Sequence, residues 1–337
     1  WRDAVMSTEH GDGQYRRQLA DAARFIREHD DFLVVSHIHP DGDAVGSTCA
    51  VGWILDQLGK RNMLCNEGAI PKKYRFLRRG DQIADYAGHR PDKMYRHVIC
   101  VDCADYQRIG SIAEWIAEDA QIVNIDHHPT NDRYGAVHVV KEDAAATAEL
   151  LFDLAEELAL PLTAEMAECI YTGILTDTGG FRYANTSPRV MQIASRLLTY
   201  GISPGMLAEV LLEKTTFAHI LLLKKALTTL SFTEDRRIAW VCAWKKDIEE
   251  AGAGNEDMDG LVNYPRNIEG VEVGLLFKQM SDREVKVSFR ASSRVDVSRV
   301  AQQFGGGGHV RAAGATIRGD MDEVVARVVE ATRLALP

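Results

Sequence analysis

The sequence predicts an α/β protein of two domains: an N-terminal doubly wound parallel sheet and a smaller C-terminal mixed-sheet α/β domain, joined by a helical linker. Three observations carry that expectation. In the first part of the chain, short apolar runs alternate with segments of helical period, as strands buried on both faces of a parallel sheet do. From Ser187 to Lys225 the period is helical, apart from a break near Gly201 to Gly205. Beyond it the pattern turns to strands. The expected divisions are 1–195, 196–225 and 226–337.

Taken in order, Gln14 to Glu28 has apolar residues at helical spacing, and Phe32-Leu33-Val34-Val35-Ser36 is a short buried strand. Ala44 to Leu58 reads as a helix stopped at Gly59, where the absence of a Cβ permits the turn. His97 to Val101 and Gln121 to Ile125 are two further buried strands. Ala164 to Leu175 is helical, and Asp177 stands at its end before Gly179 and Gly180 turn the chain. In the last third, Arg237 to Ala243, Val271 to Lys278 and Glu284 to Ala291 read as strands. Val297 to Phe304 is helical, the run Gly305-Gly306-Gly307-Gly308 is a loop, and a final helix begins at Met321. Ala251 to Asp259, rich in glycine and acid, is expected to be a mobile loop. No internal repeat or low-complexity tract appears.

A net charge of −10 disfavours wrapping of long duplex nucleic acid, which needs many phosphate-neutralising cations. It leaves a small anionic substrate open, provided that basic residues gather in one pocket. No leader pattern opens the chain and no run of about 18 apolar residues occurs, so a cytoplasmic protein with no membrane association is expected. Cys49, Cys65, Cys100, Cys103, Cys169 and Cys242 lie mostly within apolar segments, as reduced core residues do. The single C-x-x-C of Cys100 and Cys103 lacks the second pair that a zinc site wants.

Four stretches carry the chemistry: His37-Ile38-His39-Pro40-Asp41-Gly42-Asp43, Val101-Asp102, Asp126-His127-His128 and Thr176-Asp177-Thr178-Gly179-Gly180. Three begin where an apolar strand stops, and in open α/β sheets ligands bind beyond the carboxyl ends of the strands. The groups therefore converge on one edge of the sheet. Taken singly each has a plainer reading: Asp41-Gly42-Asp43 as a turn, the His pair as partners of loop carbonyls, Asp177 as a helix-end residue. Together they make a two-cation site, because buried carboxylates cost several kcal/mol each unless compensated. Asp102, from its own strand end, is the natural bridge; His37, Asp41 and Asp43 serve from one loop, and His127 and Asp177 complete the second ion. Aspartate and histidine without thiolate suit Mn²⁺ first, then Mg²⁺, Co²⁺ or Fe²⁺. Two such ions activate water toward phosphorus.

The His37–Asp43 loop, the Asp126-His127-His128 triplet and the glycine run before His309 resemble the DHH phosphoesterase superfamily, and within it the stand-alone nanoRNase/pAp phosphatase type (NrnA-like). The resemblance covers about Asp30 to Ala315. It implies a DHH catalytic domain followed by a DHH-associated substrate-binding domain, and two divalent ions per chain, Mn²⁺ foremost. One ion would be held by His37 and Asp41 and the other by Asp43, His127 and Asp177, with Asp102 between. In the catalytic group with Asp102, His128 would contact the scissile phosphate and Asp126 would support a neighbouring imidazole. His39 falls where the family is permissive and is taken as a loop residue. The second domain would grip a terminal nucleotide through Gly306, Gly307, Gly308 and His309, with Arg290, Arg266 and Arg311 as phosphate contacts. Arg182 would approach from the first domain.

The implied activity is hydrolysis of short RNA or DNA oligonucleotides of about two to five nucleotides to 5′-mononucleotides, with pAp 3′-phosphatase activity at the same site. A closed clamp would favour such short substrates. Relatives of this type imply a homodimer. A cyclic-di-AMP or pApA phosphodiesterase shares every motif, and spacing leaves that reading open. A pyrophosphatase is disfavoured by the space that the glycine run implies. A nucleotide-binding protein without activity is disfavoured by the complete set of catalytic-type residues.

Overall fold

The computed structural model describes residues 2–254, 256–292 and 295–337, with side chains of the first helix described from Gly13 onward. The chain divides into two compact units, residues 1–214 and 215–337. Residues 196–225, expected as a linker, are shared between them. Leu197, Leu207 and Leu211 pack in the core of the first unit, and Leu222 and Ala226 in that of the second.

The first unit runs α1 (Arg2–Glu28), β1 (Phe32–Val35), α2 (Gly42–Gln57), β2 (Asn62–Asn66), β3 (Ala84–Asp85), β4 (Tyr95–Val101), β5 (Ile116–Asp126), β6 (Val137–Val140), α3 (Thr147–Glu157), α4 (Ala164–Asp177), α5 (Pro188–Leu198) and α6 (Pro204–Ala208). Its six strands are all parallel, in the order β3-β2-β1-β4-β5-β6. The order reverses between β1 and β4, and ligands of such sheets bind at this switch point. The segments that leave β1 and β4 are the His37 loop and Asp102.

Alternation along the strands divides the core. Phe32, Val34, Ile99, Val101, Val123 and Ile125 face a helical layer that includes α1 to α5. Leu33, Val35, Val98 and Cys100 face the other way, onto Tyr86, Ile109 and Ile112. That second face is covered largely by a 3₁₀ segment, Tyr106–Trp115, and not by a full helix. Phe32, Leu33 and Ile99 are wholly buried, and each such side chain is worth roughly 1.5–3 kcal/mol. The six cysteines are free and buried.

The second unit runs α7 (Phe217–Leu227), β7 (Ser231–Phe232), β8 (Ile238–Ala243), α8 (Lys245–Ala251), α9 (Asn263–Arg266), β9 (Val273–Ser281), β10 (Glu284–Ala291), α10 (Val297–Gln302), β11 (Gly307–His309), β12 (Ala312–Arg318) and α11 (Met321–Leu334). Its sheet is mixed, in the order β11-β12-β10-β9-β8-β7, with β8 and β9 parallel and the other pairs antiparallel. One face packs on α10 and α11. The glycine run, expected as a loop, ends in the edge strand β11. In the acidic stretch expected as a mobile loop, Glu256–Met258 forms a 3₁₀ turn that buries Met258. Among the described residues no helix is long and apolar enough to cross a membrane.

Candidate metal centre

Asp41 caps the N-terminus of α2, its Oδ1 accepting from the backbone N–H of Asp43 and Ala44, both at 3.1 Å. Such a cap satisfies orphan donors of the first turn and leaves Oδ2 available. Oδ2 lies 3.8 Å from His37 Nε2. The His37 Nδ1 donates to the carbonyl of Ile38 at 2.9 Å, which fixes the tautomer with Nε2 as the free lone pair.

Asp43 enters from the first turn of α2 and is wholly buried. It does double service, because the residue in the N-cap position of α3 is Ala146, whose methyl group cannot accept a hydrogen bond. The Asp43 carboxylate takes that place, accepting from Thr147 N at 2.6 Å and Ala148 N at 3.0 Å, and from Ser47 Oγ at 3.2 Å. The positive end of the α3 dipole helps to hold its charge.

Asp102 follows β4 directly, with φ of 53°, a left-handed conformation uncommon outside glycine, asparagine and aspartate. That turn aims the carboxylate so that its oxygens serve two groups. Oδ2 is 3.6 Å from His37 Nε2, while Oδ1 is 3.7 Å from His127 Nε2 and accepts from Thr147 Oγ1 at 3.1 Å. His127 Nε2 lies 3.2 Å from Asp177 Oδ2 and 4.0 Å from Asp43 Oδ2, and its Nδ1 is 3.3 Å from the carbonyl of Ala144. Asp177 is the last residue of α4, and Gly179 and Gly180, both at positive φ, turn the chain away.

Two ligand-like groups result, His37–Asp41–Asp102 and Asp43–His127–Asp177, with Asp102 reaching both. The other triplet of the cluster adds His128, but its Nδ1 is engaged by Asp126 Oδ1 at 2.7 Å. Asp126 Oδ2 in turn accepts from Asn131 at 2.6 Å. The second imidazole of the pair is thus oriented by a buried carboxylate, while its Nδ1 also lies 3.6 Å from Asp102 Oδ1. His39 is exposed and in neither group.

The electrostatics bear on whether cations fit. Burial, then the charges of Asp102 and Asp177, push the Asp43 carboxyl well above its ordinary range. Burial lifts Asp177 to about 6, against the pull of His127. Burial would raise Asp102 too, but the rings of His37, His127 and His128 hold it at about 2. Burial works against a charged His127, yet the carboxylates of Asp177, Asp43 and Asp102 outweigh it and raise the ring to about 10. His37 is raised in the same way by Asp102 and Asp41. Carboxylates therefore exceed what imidazoles can neutralise, the imbalance that divalent cations relieve. Donors about 2.1 Å from a common centre lie roughly 3.0–3.4 Å apart, near the separations found here. The set fits hard or borderline cations.

Three residues of this arrangement are not anticipated from the sequence. Thr147, Ser47 and Asn131 hold Asp43, Asp102 and Asp126 in place. Thr147 had one legible signal, its place at the start of the apolar helical run Thr147–Glu157; Ser47 and Asn131 had none. Arg182 is exposed just after α4, its Nε donating to the carbonyl of Gly179 at 2.5 Å.

In the second unit, β11 pairs with β12 in the register Gly307↔Gly314, Gly308↔Ala313 and His309↔Ala312. A Cβ on Gly306 would lie 2.1 Å from the carbonyl oxygen of Gly314, and one on Gly308 would lie 2.5 Å from that of Ala312. These two glycines thus answer to close strand approach, whereas Gly307 is open. Arg290 pairs with Ala312 on one side and Gly274 on the other. Arg266 on α9 packs against Gly274, one strand from Arg290. Arg311 is exposed in the β11–β12 turn.

Comparison with known proteins matches residues 31–174 to the DHH family, N-terminal domain, and residues 238–334 to the DHHA1 domain. The chain is 36% identical over 301 residues to the bifunctional oligoribonuclease and PAP phosphatase NrnA of Thermus thermophilus, covering 89% of this chain and 88% of that protein. It is 29% identical to the NrnA of Bacillus subtilis, covering 87% and 91%. Among solved structures, an exopolyphosphatase-related protein from Bacteroides fragilis superposes with a TM-score of 0.89 at 25% identity, covering 95% of this chain and 96% of that one.

Proposed function

The chain belongs to the DHH family and is a metal-dependent phosphoesterase, and from that premise we propose that it hydrolyses oligonucleotides of about two to five residues to 5′-mononucleotides and removes the 3′-phosphate of pAp. The activities in the names of the Thermus and Bacillus relatives support this reading. The observation that carries the mechanism is the placement of the Asp102 oxygens, one toward His37 and the other toward His127.

In the proposed site, His37, Asp41 and Asp102 would hold one divalent ion and Asp43, His127 and Asp177, with Asp102, would hold the other, Mn²⁺ being the preferred metal. When bound, such a pair supplies an acidified water and neutralises phosphate charge. The remaining work falls to the chain's own residues. The carbonyls of Ile38 and Ala144 orient the two ligand imidazoles, and Thr147 and Ser47 hold the carboxylates at fixed angles. Against burial, the carboxylates of Asp126 and Asp102 favour the protonated His128 ring, which gives Nδ1–H to Asp126 and, as the imidazolium, would have Nε2–H to donate to an oxygen of the scissile phosphate. In the second unit Arg290 and His309 bind the nucleotide.

The test is turnover with Mn²⁺ on pApA, a 5-mer RNA, a 20-mer RNA, pAp, cyclic-di-AMP and pyrophosphate side by side. Fast cleavage of the first two and of pAp, with the 20-mer spared, is the expected result. A preference for cyclic-di-AMP or pyrophosphate would overturn it.

A further inference from the structure

We propose that Tyr183 is a stacking platform for one nucleobase of the substrate, that of the nucleotide whose phosphate sits at the candidate metal centre. The inference rests on the oligonucleotide reading above and assigns to the first unit a residue that recognises the base.

Tyr183 stands on the turn that follows Asp177, and the fold holds this turn tightly. Gly179, Gly180 and Phe181 have φ of 57°, 72° and 62°, all in the left-handed region. A phenylalanine rarely adopts it, because its Cβ crowds the carbonyl oxygen that follows. Packing fixes Phe181 there: it lies against the core of the first unit, and its ring meets Tyr171 edge to face at 6.0 Å. The Phe181 N–H donates to Thr178 Oγ1 at 3.0 Å, and the N–H groups of Arg182 and Tyr183 both donate to the Thr178 carbonyl. Asn185 closes the turn, its Nδ2 donating to the carbonyls of Asp177 and Ala145, each at 3.1 Å. One turn therefore sets Asp177 and fixes the place of Tyr183.

The ring lies flat on Gly179. A Cβ there would stand 2.4, 2.5 and 2.6 Å from Cζ, Cε2 and Cε1 of Tyr183, with the hydroxyl oxygen farther off. Near-equal distances to these three carbons put that position over the face of the ring and not beyond its edge. Only glycine leaves room for it. One face is thus covered, yet Tyr183 is 58% exposed. Leu212, 37% exposed on the π-helical turn Glu209–Glu213, lies against Gly180, 2.8 Å from the position of a Cβ there. Two apolar side chains therefore form a ledge beside a centre built of carboxylates and imidazoles. Gly179 is two residues from Asp177, a span of no more than about 7 Å, so the ledge is within one nucleotide of a phosphate held at the Asp177 group. Charges alone suffice to hold that phosphate. A rigid aromatic face left in water beside them suits the flat group that a nucleotide carries and pyrophosphate lacks.

The test compares the whole chain with its Tyr183→Ala and Tyr183→Phe variants in Mn²⁺. The substrates are pApA and two abasic analogues, each lacking the adenine at one end. Tyr183→Ala should raise KM for pApA about tenfold with kcat unchanged, as the loss of a contact made equally in ground and transition states does. On the analogue that lacks the stacked base, Tyr183→Ala should match the parent, and which analogue this is identifies the base. Tyr183→Phe keeps the ring face and should stay within about twofold of the parent on pApA. Elemental analysis should find the same metal content in all three proteins. An equal loss on pApA and both analogues, or a loss through kcat or metal content, overturns the proposal, because Tyr183 would then be supporting Asp177. Tyr183→Phe as impaired as Tyr183→Ala overturns it as well, since the hydroxyl and not the ring would bind. A parent that does not cleave pApA sinks the oligonucleotide reading itself, whereas one that cleaves it while Tyr183→Ala keeps pace sinks only the platform.

Discussion

Asp102 is the residue on which the candidate site turns, since among the described residues its two oxygens reach both ligand-like groups. Asp102→Ala is expected to lower bound metal below two ions per chain, read by elemental analysis, and to abolish hydrolysis while circular dichroism stays unchanged. Asp126 acts through another group, so Asp126→Ala should keep its metal yet lose roughly 10–100-fold in kcat, the range for partners that orient a working imidazole. The charges also predict a pH response of the metal-free protein. Its His127 titrates near 10, above the ordinary 6.5, so that stabilising contribution is complete below pH 6.5 and is lost as pH rises through about 10. Asp177, raised to about 6 from 3.8, adds a loss between those values as pH rises, whereas Asp102, at about 2, protects only above about 3.8. Metal-free Tm should therefore fall from pH 6.5 to 10, and added Mn²⁺ should raise Tm by more at the alkaline end. A flat metal-free profile over that range would contradict the assigned charge balance.

At the scale of elements, the site exists because α2, α3 and α4 come unusually close. A Cβ on Gly42 would meet Thr176 at 2.4 Å, and one on Gly46 would meet the Cys169 carbonyl oxygen at 2.5 Å. A Cβ on Gly173 would meet Asp43 Oδ1 at 2.5 Å and Ala148 at 2.6 Å. Small residues at these crossings let the capping carboxylate of one helix serve the N-terminus of another. Gly173→Ala should cost about 1–3 kcal/mol in denaturant unfolding, as overpacking does, and should weaken metal binding through Asp43. Gly205→Ala, with nothing within 4 Å of its Cβ, is the control; it should be neutral or stabilise by up to about 1 kcal/mol. The glycine run before His309 teaches the same lesson in a sheet, where Gly306 and Gly308 are demanded by a neighbouring strand.

Over the whole molecule, the two units have separate cores, and the candidate metal ligands all belong to the first. Calorimetry is expected to resolve two transitions. Chelation should lower one of them, by an amount equivalent to about 2.7 kcal/mol when the metal had stood at a hundred times its Kd. A single transition that shifts as a whole would mean that the units unfold together.

Much of this is legible in the amino-acid sequence. Apolar runs that stop at Asp102 and Asp126 mark strands with working ends, because a charged group in a buried parallel strand costs least where the strand leaves the sheet. His37, Asp41, Asp43, His127 and Asp177 were legible as a group for the same reason: no solvated surface needs that set. What the chain could not disclose were contacts between segments distant in sequence. Asp43 capping α3 at Thr147, Asn131 holding Asp126 and the pairing of Lys278 with Lys286 depend on helix approach and strand register. Composition is silent on both, since local sequence records what a residue prefers and only the packed fold decides which residue it meets.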